Sequence, residues 1–126
     1  MNINELVSDN DKKMRIIQEL VPGKQITLAH IIAGPDEILY TKLGLNPDID
    51  YNKSAIGILT VSPAETAVIA ADVAMKAANV DLGFVDRFSG TLIVTGSVSN
   101  TTEAITSCVN YCRDTLGFSV CEVTRT

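Results

Sequence analysis

A regular succession of apolar segments over residues 55–123 constrains the fold of this chain more than any other feature. Two segments are long, start at capping residues near Ser62 and Asn100, and have the character of helices. Four are short and β-branched, as strands are, and cover residues 55–61, 80–87, 91–98 and 118–123. The order strand, helix, strand, strand, helix, strand predicts an α+β fold of the split βαβ (ferredoxin-like) type, with both helices packed on one face of the sheet.

The first of these helices is predicted from its start signal. Ser62 and Glu65 have the spacing of a capping box, and Pro63 stands at the first helical position. An alanine-rich stretch follows to about Ala78. Alanine side chains allow a helix to lie close to whatever it packs against.

The second helix is predicted from Asn100 to Gly117. Asn100 and Glu103 supply the expected cap, and Gly117 supplies the stop. The apolar residues recur with helical spacing at Ile105, Cys108, Val109, Cys112 and Leu116. That periodic face is expected to be buried.

The N-terminal part of the chain adds a pair of strands. Residues 1–14 have the composition of a flexible leader, and residues 15–126 are expected to form a single domain. Residues 15–21 form a short apolar segment that the Pro22-Gly23 turn ends, and residues 25–32 are apolar and β-branched. Both segments are predicted to be strands.

A short helix and a loop connect these strands to the regular region. Pro35 is expected at the first helical position, with Asp36 and Glu37 in the first turn, and Gly44 is expected to end the helix. Residues 44–54 contain Asn-Pro, two aspartates and no apolar run, which is typical of a surface loop.

Charge and hydropathy exclude several classes of partner. The net charge is −5 and the isoelectric point is about 4.7, and no basic run is present, which argues against binding to nucleic acid or to an anionic membrane. No apolar stretch approaches the roughly 20 residues of a membrane span, and the first residues lack a signal-peptide core. The chain is expected to be cytoplasmic.

The side chains that carry most enzyme chemistry are sparse. His30 lies within an apolar strand, where a hydrogen-bonded core or interface histidine is a more common role than a base or a ligand. Cys108 and Cys112 lie on one helical face, but a metal site would need further ligands from nearby turns, and burial explains them better. No catalytic residue, metal or cofactor is expected.

One set of charged residues could still form a polar site. Asp81, Asp86 and Arg87 flank the predicted hairpin and could form a polar pocket, although solvated strand ends are the more common arrangement. Because side chains suited to catalysis are so sparse, the sequence favours a protein that is not an enzyme.

Three sequence phrases resemble the bacterial microcompartment (BMC) shell domain. Asp72-Val-Ala-Met-Lys-Ala-Ala-Asn-Val80 is similar to the end of the family's first helix. Arg87-Phe-Ser-Gly90 resembles its short pore loop, shortened by one residue and opening with arginine in place of lysine. Ala29-His-Ile-Ile-Ala-Gly-Pro35 resembles the segment that normally closes the domain, yet here it comes first. The displaced segment implies a circular permutation.

The permuted order is typical of the ethanolamine- and propanediol-utilisation subgroup, EutS/PduU. The segments 16–25, 27–30 and 83–90 resemble the EutS branch in particular. The resemblance implies a structural protein whose hexamers tile the shell of a microcompartment around ethanolamine-degrading enzymes. It implies as partners further copies of the chain, other shell proteins and targeting peptides of the enclosed enzymes.

The resemblance also assigns roles to residues. Arg87, Phe88, Ser89 and Gly90 would line the central pore, and Lys76 and Asn79 would lie at the hexamer edge. The family's arginine after the histidine strand has no counterpart here, because Ala33 and Gly34 stand in its place. Contacts between hexamers are therefore expected to be weaker than, or different from, those of the family.

The segment 15–21 has two possible roles. Both of its faces carry apolar side chains, and permuted relatives form a six-stranded β-barrel over the pore, which predicts the same cap from six copies here. The residues of this cap would be Arg15, Ile16, Ile17, Gln18, Glu19, Leu20 and Val21. The alternative is a hairpin with residues 24–32 of the same subunit.

A function of another class also fits the predicted fold. Split βαβ domains often bind small molecules as regulatory modules, and fold alone does not separate that function from a shell protein.

Overall fold

The computed structural model describes residues 23–126, which form one five-stranded sheet and three helices. The predicted leader and the segment 15–21 lie outside the described residues. The strands are β1 Gln25–Ile32, β2 Ala55–Ser62, β3 Asp81–Asp86, β4 Thr91–Gly96 and β5 Thr124–Arg125. The helices are α1 Ile38–Lys42, α2 Thr66–Ala77 and α3 Val98–Asp114.

The sheet has the strand order β3-β4-β2-β1-β5. Every pairing is antiparallel except that of β1 with β5, which is parallel and joins His30 to Thr124. β3 and β4 form the predicted hairpin, with Asp86 opposite Thr91. The mixed sheet confirms the α+β prediction for this part of the chain.

The two long helices cover one face of the sheet, as predicted. The β-strand period of two turns Leu59 and Leu92 toward this face, where both are completely buried. Ile105 and Cys108 of α3 fill the layer between helix and sheet. Each buried leucine or isoleucine of this layer contributes roughly 1.5–3 kcal/mol relative to an exposed one.

Small residues let the helices approach the sheet closely. Ala67, Ala70 and Ala74 of α2 are buried, in agreement with the expected tight packing. On β2, a Cβ at Gly57 would lie 2.8 Å from side-chain carbons of both Thr101 and Ile105 on α3. Glycine at this position therefore sets the distance between α3 and the sheet.

The opposite face is only partly covered. The short helix α1 and the loop after it place Tyr40 and Leu45 against Ile56 and Ile93 of the sheet. The rest of this face carries half-exposed side chains, including Leu28 and Phe84.

Both predicted capping boxes are wrong. Ser62 is the last residue of β2 and pairs with Gln25, and α2 begins at Thr66, whose amide donates to the Pro63 carbonyl. The start of α2 is thus stabilised by turn hydrogen bonds rather than by the Ser62 side chain.

The helix α3 also starts earlier than predicted. Its N-cap is Ser97, whose hydroxyl accepts the amide of Asn100 at 3.1 Å, so Asn100 and Glu103 lie inside the helix. The predicted end at Gly117 agrees with the positive φ of that residue.

Two further boundaries differ from the predictions. The helix α1 begins at Ile38 rather than at Pro35, because the Asp36 carboxylate accepts the Ile38 amide and makes a separate turn. The strand predicted over residues 118–123 is wrong: within it only Ser119 forms a bridge, to Gln25, and the last strand lies just after it, at Thr124–Arg125.

The two ends of the sheet carry different elements. At one end, called here the hairpin end, the β3–β4 loop lies beside the start of β1 and the end of β2, since Thr60 pairs with Thr91 and Gln25 with Ser62. The other end, called the far end, contains α1, the start of β3 and the C-terminus of α2. None of the helices within residues 23–126 combines the length and apolar character that a membrane crossing requires.

Candidate functional site

The loop Arg87–Gly90 at the hairpin end is a rigid turn built around Asp86. One Asp86 carboxylate oxygen accepts the Phe88 amide at 2.8 Å, and the other accepts the Ser89 hydroxyl at 2.8 Å. These hydrogen bonds lower the pKa of Asp86, the Phe88 amide bond being the larger cause. The carboxylate is therefore ionised near neutral pH and holds the loop in one shape.

Gly90 ties the loop to the body of the sheet. Its amide donates to the Asp86 carbonyl, and its carbonyl accepts the Val61 amide at 2.8 Å. Its φ is +76°, and a Cβ at this position would collide with the Val61 carbonyl oxygen. Both the backbone angle and the available space therefore require glycine.

The tip of the loop presents an aromatic ring to the outside. Phe88 is 81% exposed, and the Arg87 guanidinium lies 5.0 Å from the centroid of its ring. An isolated subunit gains nothing by exposing so large an apolar side chain. The tip of the loop therefore presents an aromatic ring and a guanidinium group side by side to the outside.

The predicted edge residues lie at the far end, away from this loop. α2 begins at the hairpin end and spans 12 residues, about 18 Å at 1.5 Å per residue, so Lys76 in its last turn lies at the opposite end of the subunit. Its ammonium contacts Asp72 at 2.8 Å, and both side chains are largely exposed. Asn79 lies two residues after the end of the helix and is also exposed.

His30 is a hydrogen-bonded histidine, as its position within an apolar strand predicts. One ring nitrogen lies 2.6 Å from the Thr124 hydroxyl and the other 2.9 Å from the Thr126 hydroxyl. Both nitrogens are thus occupied by side chains near the C-terminus, and the ring ties β5 to β1.

The cysteines of α3 are buried thiols. Cys108 is completely buried, its thiol lies 3.1 Å from the Ala70 carbonyl, and burial raises its pKa to about 12. Burial also raises the pKa of Cys112. Within residues 23–126, no three potential metal ligands come together.

The alternative of a polar pocket formed by Asp81, Asp86 and Arg87 is wrong. Asp81 pairs with Thr95 at one end of β3, and Asp86 pairs with Thr91 at the other. Five residues of extended strand, about 16 Å, separate the two carboxylates, which therefore share no site.

Sequence reasoning missed two features of this molecule. It treated Asp86 as a strand-end charge, although an aspartate two residues before the tip of a tight turn is a common turn signal. It did not foresee the stacking of Tyr40 on Tyr51, which lie in a helix and a loop with no shared periodicity.

The comparisons with known proteins identify the class. The profile of the BMC domain family matches residues 55–124. The chain is 53% identical over 113 residues, 90% of its length and 97% of the relative's, to the bacterial microcompartment shell protein EutS of Salmonella typhimurium. It is 46% identical over 112 residues, 89% of its length and 93% of the relative's, to the shell protein PduU of the same organism. The chain therefore belongs to the BMC-domain family of microcompartment shell proteins.

A solved relative supports the same assignment in three dimensions. The shell protein CutR, in a structure described as a flat hexamer, superposes with a TM-score of 0.77 at 46% identity, covering 89% of this chain and 99% of that one. CutR has also been solved as a domain-swapped dimer. Within the family, the similarity to EutS and PduU agrees with the permuted EutS/PduU subgroup.

Proposed function

We propose that this chain is a structural tile, one subunit of a closed hexamer in the shell of a bacterial microcompartment, with no catalytic role of its own. The observation that carries the proposal is the superposition on the flat CutR hexamer across nearly the whole of both chains. The similarity to EutS extends the proposal to a shell around ethanolamine-degrading enzymes. A regulatory module of the same fold is not favoured by these relatives.

Exposed apolar side chains on one flank of the subunit support the hexamer. The outer face of α2 and the adjoining strand β3 expose several large apolar residues, namely Val68, Ile69, Met75, Leu82, Phe84 and Val85. A stable monomer rarely leaves so many apolar side chains exposed on neighbouring elements. A second subunit packed on this flank would remove them from water.

The two ends of the sheet suggest the orientation of the subunit in the ring. We place the hairpin end toward the sixfold axis, so that Arg87, Phe88, Ser89 and Gly90 line the pore. Lys76 and Asn79, at the far end, then lie at the perimeter where neighbouring hexamers meet. A lysine at such an edge packs its aliphatic stem on a neighbour and directs its ammonium to carbonyl groups.

The hydrogen bonds of β1 favour the barrel cap over the hairpin alternative. At its start, β1 is bonded to Ser119 on one side, through Lys24 and Ile26, and to Ser62 on the other, through Gln25. A strand folding back onto residues 24–26 in the same subunit would find no free edge. The described part of the chain begins at Gly23, at the hairpin end and beside the proposed pore, so a cap formed by six copies of the preceding segment around the axis agrees with this geometry.

Circular permutation is part of the same proposal. The family profile starts at residue 55, whereas β1 lies before it in sequence and between β2 and β5 in the sheet. This is the position expected of a closing segment moved to the front. We further propose that residues 15–126 act as one domain, with residues 1–14 as a leader.

The partners follow from the assembly. The tile would associate with itself and with other shell proteins, and it could bind targeting peptides of the enclosed enzymes. A capped pore would pass few solutes, so a structural or docking role is favoured over bulk transport.

Electron cryomicroscopy of the full chain and of a variant lacking residues 1–21 tests the proposal. Both chains should form rings of six subunits, with the Arg87–Gly90 loop nearest the axis. Density should cover one mouth of the pore in the full chain and be missing in the shortened one. A loop at the outer rim, or a shortened chain that no longer folds, would contradict the arrangement.

A further inference from the structure

We propose that residues 124–126 form a latch that opens and closes on the edge of β1 while the rest of the subunit stays folded. In the closed state, His30 fastens this latch in one tautomer, with the ring proton on Nδ1. The latch consists of β5 and the residue that follows it. The inference goes beyond the proposed tile function, because every group it uses belongs to one subunit.

The backbone of the latch is held to β1 by few contacts. β5 is two residues long and pairs in parallel with β1. Two backbone hydrogen bonds follow this pairing, from the Thr126 amide to the Ile31 carbonyl and from the Ala33 amide to the Thr126 carbonyl, both at 2.9 Å. All three latch residues are exposed. Exposed hydrogen bonds with little buried apolar area around them open more readily than the rest of a fold.

The residues just before the latch are anchored more firmly. Phe118 is buried, and Val123 packs against the core between helices and sheet. The Ser119 amide and carbonyl both form hydrogen bonds with the backbone of residues 24–26. The boundary between anchored and exposed chain therefore lies between Val123 and Thr124, so the latch can open alone.

Both side-chain hydroxyls of the latch reach one imidazole ring. The Thr124 hydroxyl lies 2.6 Å from Nδ1 of His30, and the Thr126 hydroxyl lies 2.9 Å from Nε2. Side chains alternate along an extended chain, so these two threonines face the same side, whereas Arg125 between them lies beside α3. The ring therefore bonds the whole length of the latch to β1.

The Thr124 hydroxyl determines where the ring proton lies. Its own proton is directed to the Ala29 carbonyl, at 3.3 Å, so its oxygen can only accept a hydrogen bond from the ring. Nδ1 of His30 must therefore carry the proton. In the neutral ring, Nε2 then has a free lone pair and accepts the proton of the Thr126 hydroxyl. One tautomer thus satisfies both hydroxyls of the closed latch.

The latch changes which strand forms this edge of the sheet. When it is closed, the outer strand is β5, with only two residues. When it opens, the eight-residue strand β1 presents unpaired backbone groups at Ile31 and Ala33. Short edge strands are one means by which proteins prevent pairing with other chains. Hydrogen exchange at the Ala33 amide therefore reports the open state.

Solid-state ¹⁵N NMR tests the tautomer. The chain has one histidine, so protein labelled only in histidine gives signals from one pair of ring nitrogens. At about pH 8, where imidazole is neutral in water, we expect a bonded hydrogen on Nδ1 and none on Nε2, in one uniform population. A proton on Nε2, or a mixture of both tautomers, would overturn the assignment.

Hydrogen exchange with residue resolution tests the latch itself. Thr124→Val removes the hydroxyl at nearly constant size, and the amides of Ala33 and Thr126 should then exchange about tenfold faster, because the His30 contact is lost. Thr124→Ser keeps the hydroxyl and should retain the original rates. Thr27→Val is the matched control, since it removes an exposed hydroxyl of β1 that bonds Thr60 instead of the latch. It should leave both rates unchanged.

The remainder of the sheet has to stay closed in these variants. Amides of β2 and β4 should exchange equally slowly in all of them. The proposal is overturned by unchanged rates at the two latch amides in Thr124→Val, by equally fast exchange in Thr124→Ser, or by faster exchange throughout the sheet. Light scattering of the same samples gives the mass of the assembly, so a failure of the hexamer is recognised separately.

Discussion

Gly90 and Asp86 determine the shape of the hairpin loop at the level of single residues. Gly90 lies where both its φ and the Val61 carbonyl exclude a side chain, and Asp86 accepts two hydrogen bonds from the loop. The exposed Phe88 is positioned by these contacts rather than by packing. Changes at the two anchoring positions should therefore affect the loop more than changes at its tip.

Replacing Gly90 with alanine should destabilise the protein by more than about 2 kcal/mol, because a positive φ and a steric clash both have to be relieved. Gly34→Ala is the matched control, since nothing lies within 4 Å of the added Cβ, and its effect should stay within about 0.5 kcal/mol. Chemical denaturation at one fixed protein concentration measures both. Equal effects of the two substitutions would contradict the role of Gly90.

Because of Asp86, the stability of the loop should depend on pH in the acidic range. Its pKa in the folded chain lies below the ordinary 3.8, so the fold favours the carboxylate. The resulting stabilisation is fully present above about pH 4 and is lost as the pH falls through the lowered pKa. A carboxyl-carbon NMR titration should give a midpoint for Asp86 below 3.8; a midpoint at or above this value would show that the loop hydrogen bonds do not form.

At the scale of elements, α2 connects the two ends of the subunit. It starts beside the hairpin loop and carries Lys76 to the far end, so one helix links the proposed pore with the proposed edge. Its buried alanines allow close packing on the sheet, and its outer face is exposed.

Lys76→Asp should leave the hexamer intact and abolish extended sheets of hexamers, because an edge lysine acts between hexamers rather than within one. The isolated fold should tolerate the change, since the ion pair with Asp72 is exposed. Negative-stain electron microscopy shows sheets directly. Lys24→Asp, at the hairpin end, is the control and should keep the sheets. If the Lys76→Asp variant still forms sheets, Lys76 does not mediate the contacts between hexamers.

For the whole molecule, residue patterns predicted the elements better than their boundaries. The strand at 25–32 was located to the residue, because its nearly continuous apolar run is rich in β-branched residues and lies between the turn at Pro22-Gly23 and the Gly34-Pro35 pair. The helix starts were misplaced, because Ser62 is used in sheet pairing and Ser97 caps α3 instead. These outcomes depend on tertiary pairing, which local capping rules do not include.

The candidate site was predicted only in part. The loop at Arg87–Gly90 was identified by family resemblance, and the structure adds the Asp86 anchor and the exposed ring of Phe88. The stacking of Tyr40 on Tyr51 could not be predicted, because the two residues meet through the packing of α1 on the sheet. In the structure of a single chain, exposed apolar side chains are the sign of contacts between subunits.

The mass of the purified 126-residue chain in solution tests the central claim most directly. Size-exclusion chromatography with light scattering at micromolar concentration should give about 81 kDa, six times the 13.5 kDa of one chain, without any added ligand. A closed ring of this size should keep its mass on dilution within the micromolar range. A stable monomer or dimer under these conditions would contradict the account of this protein as a hexameric shell tile.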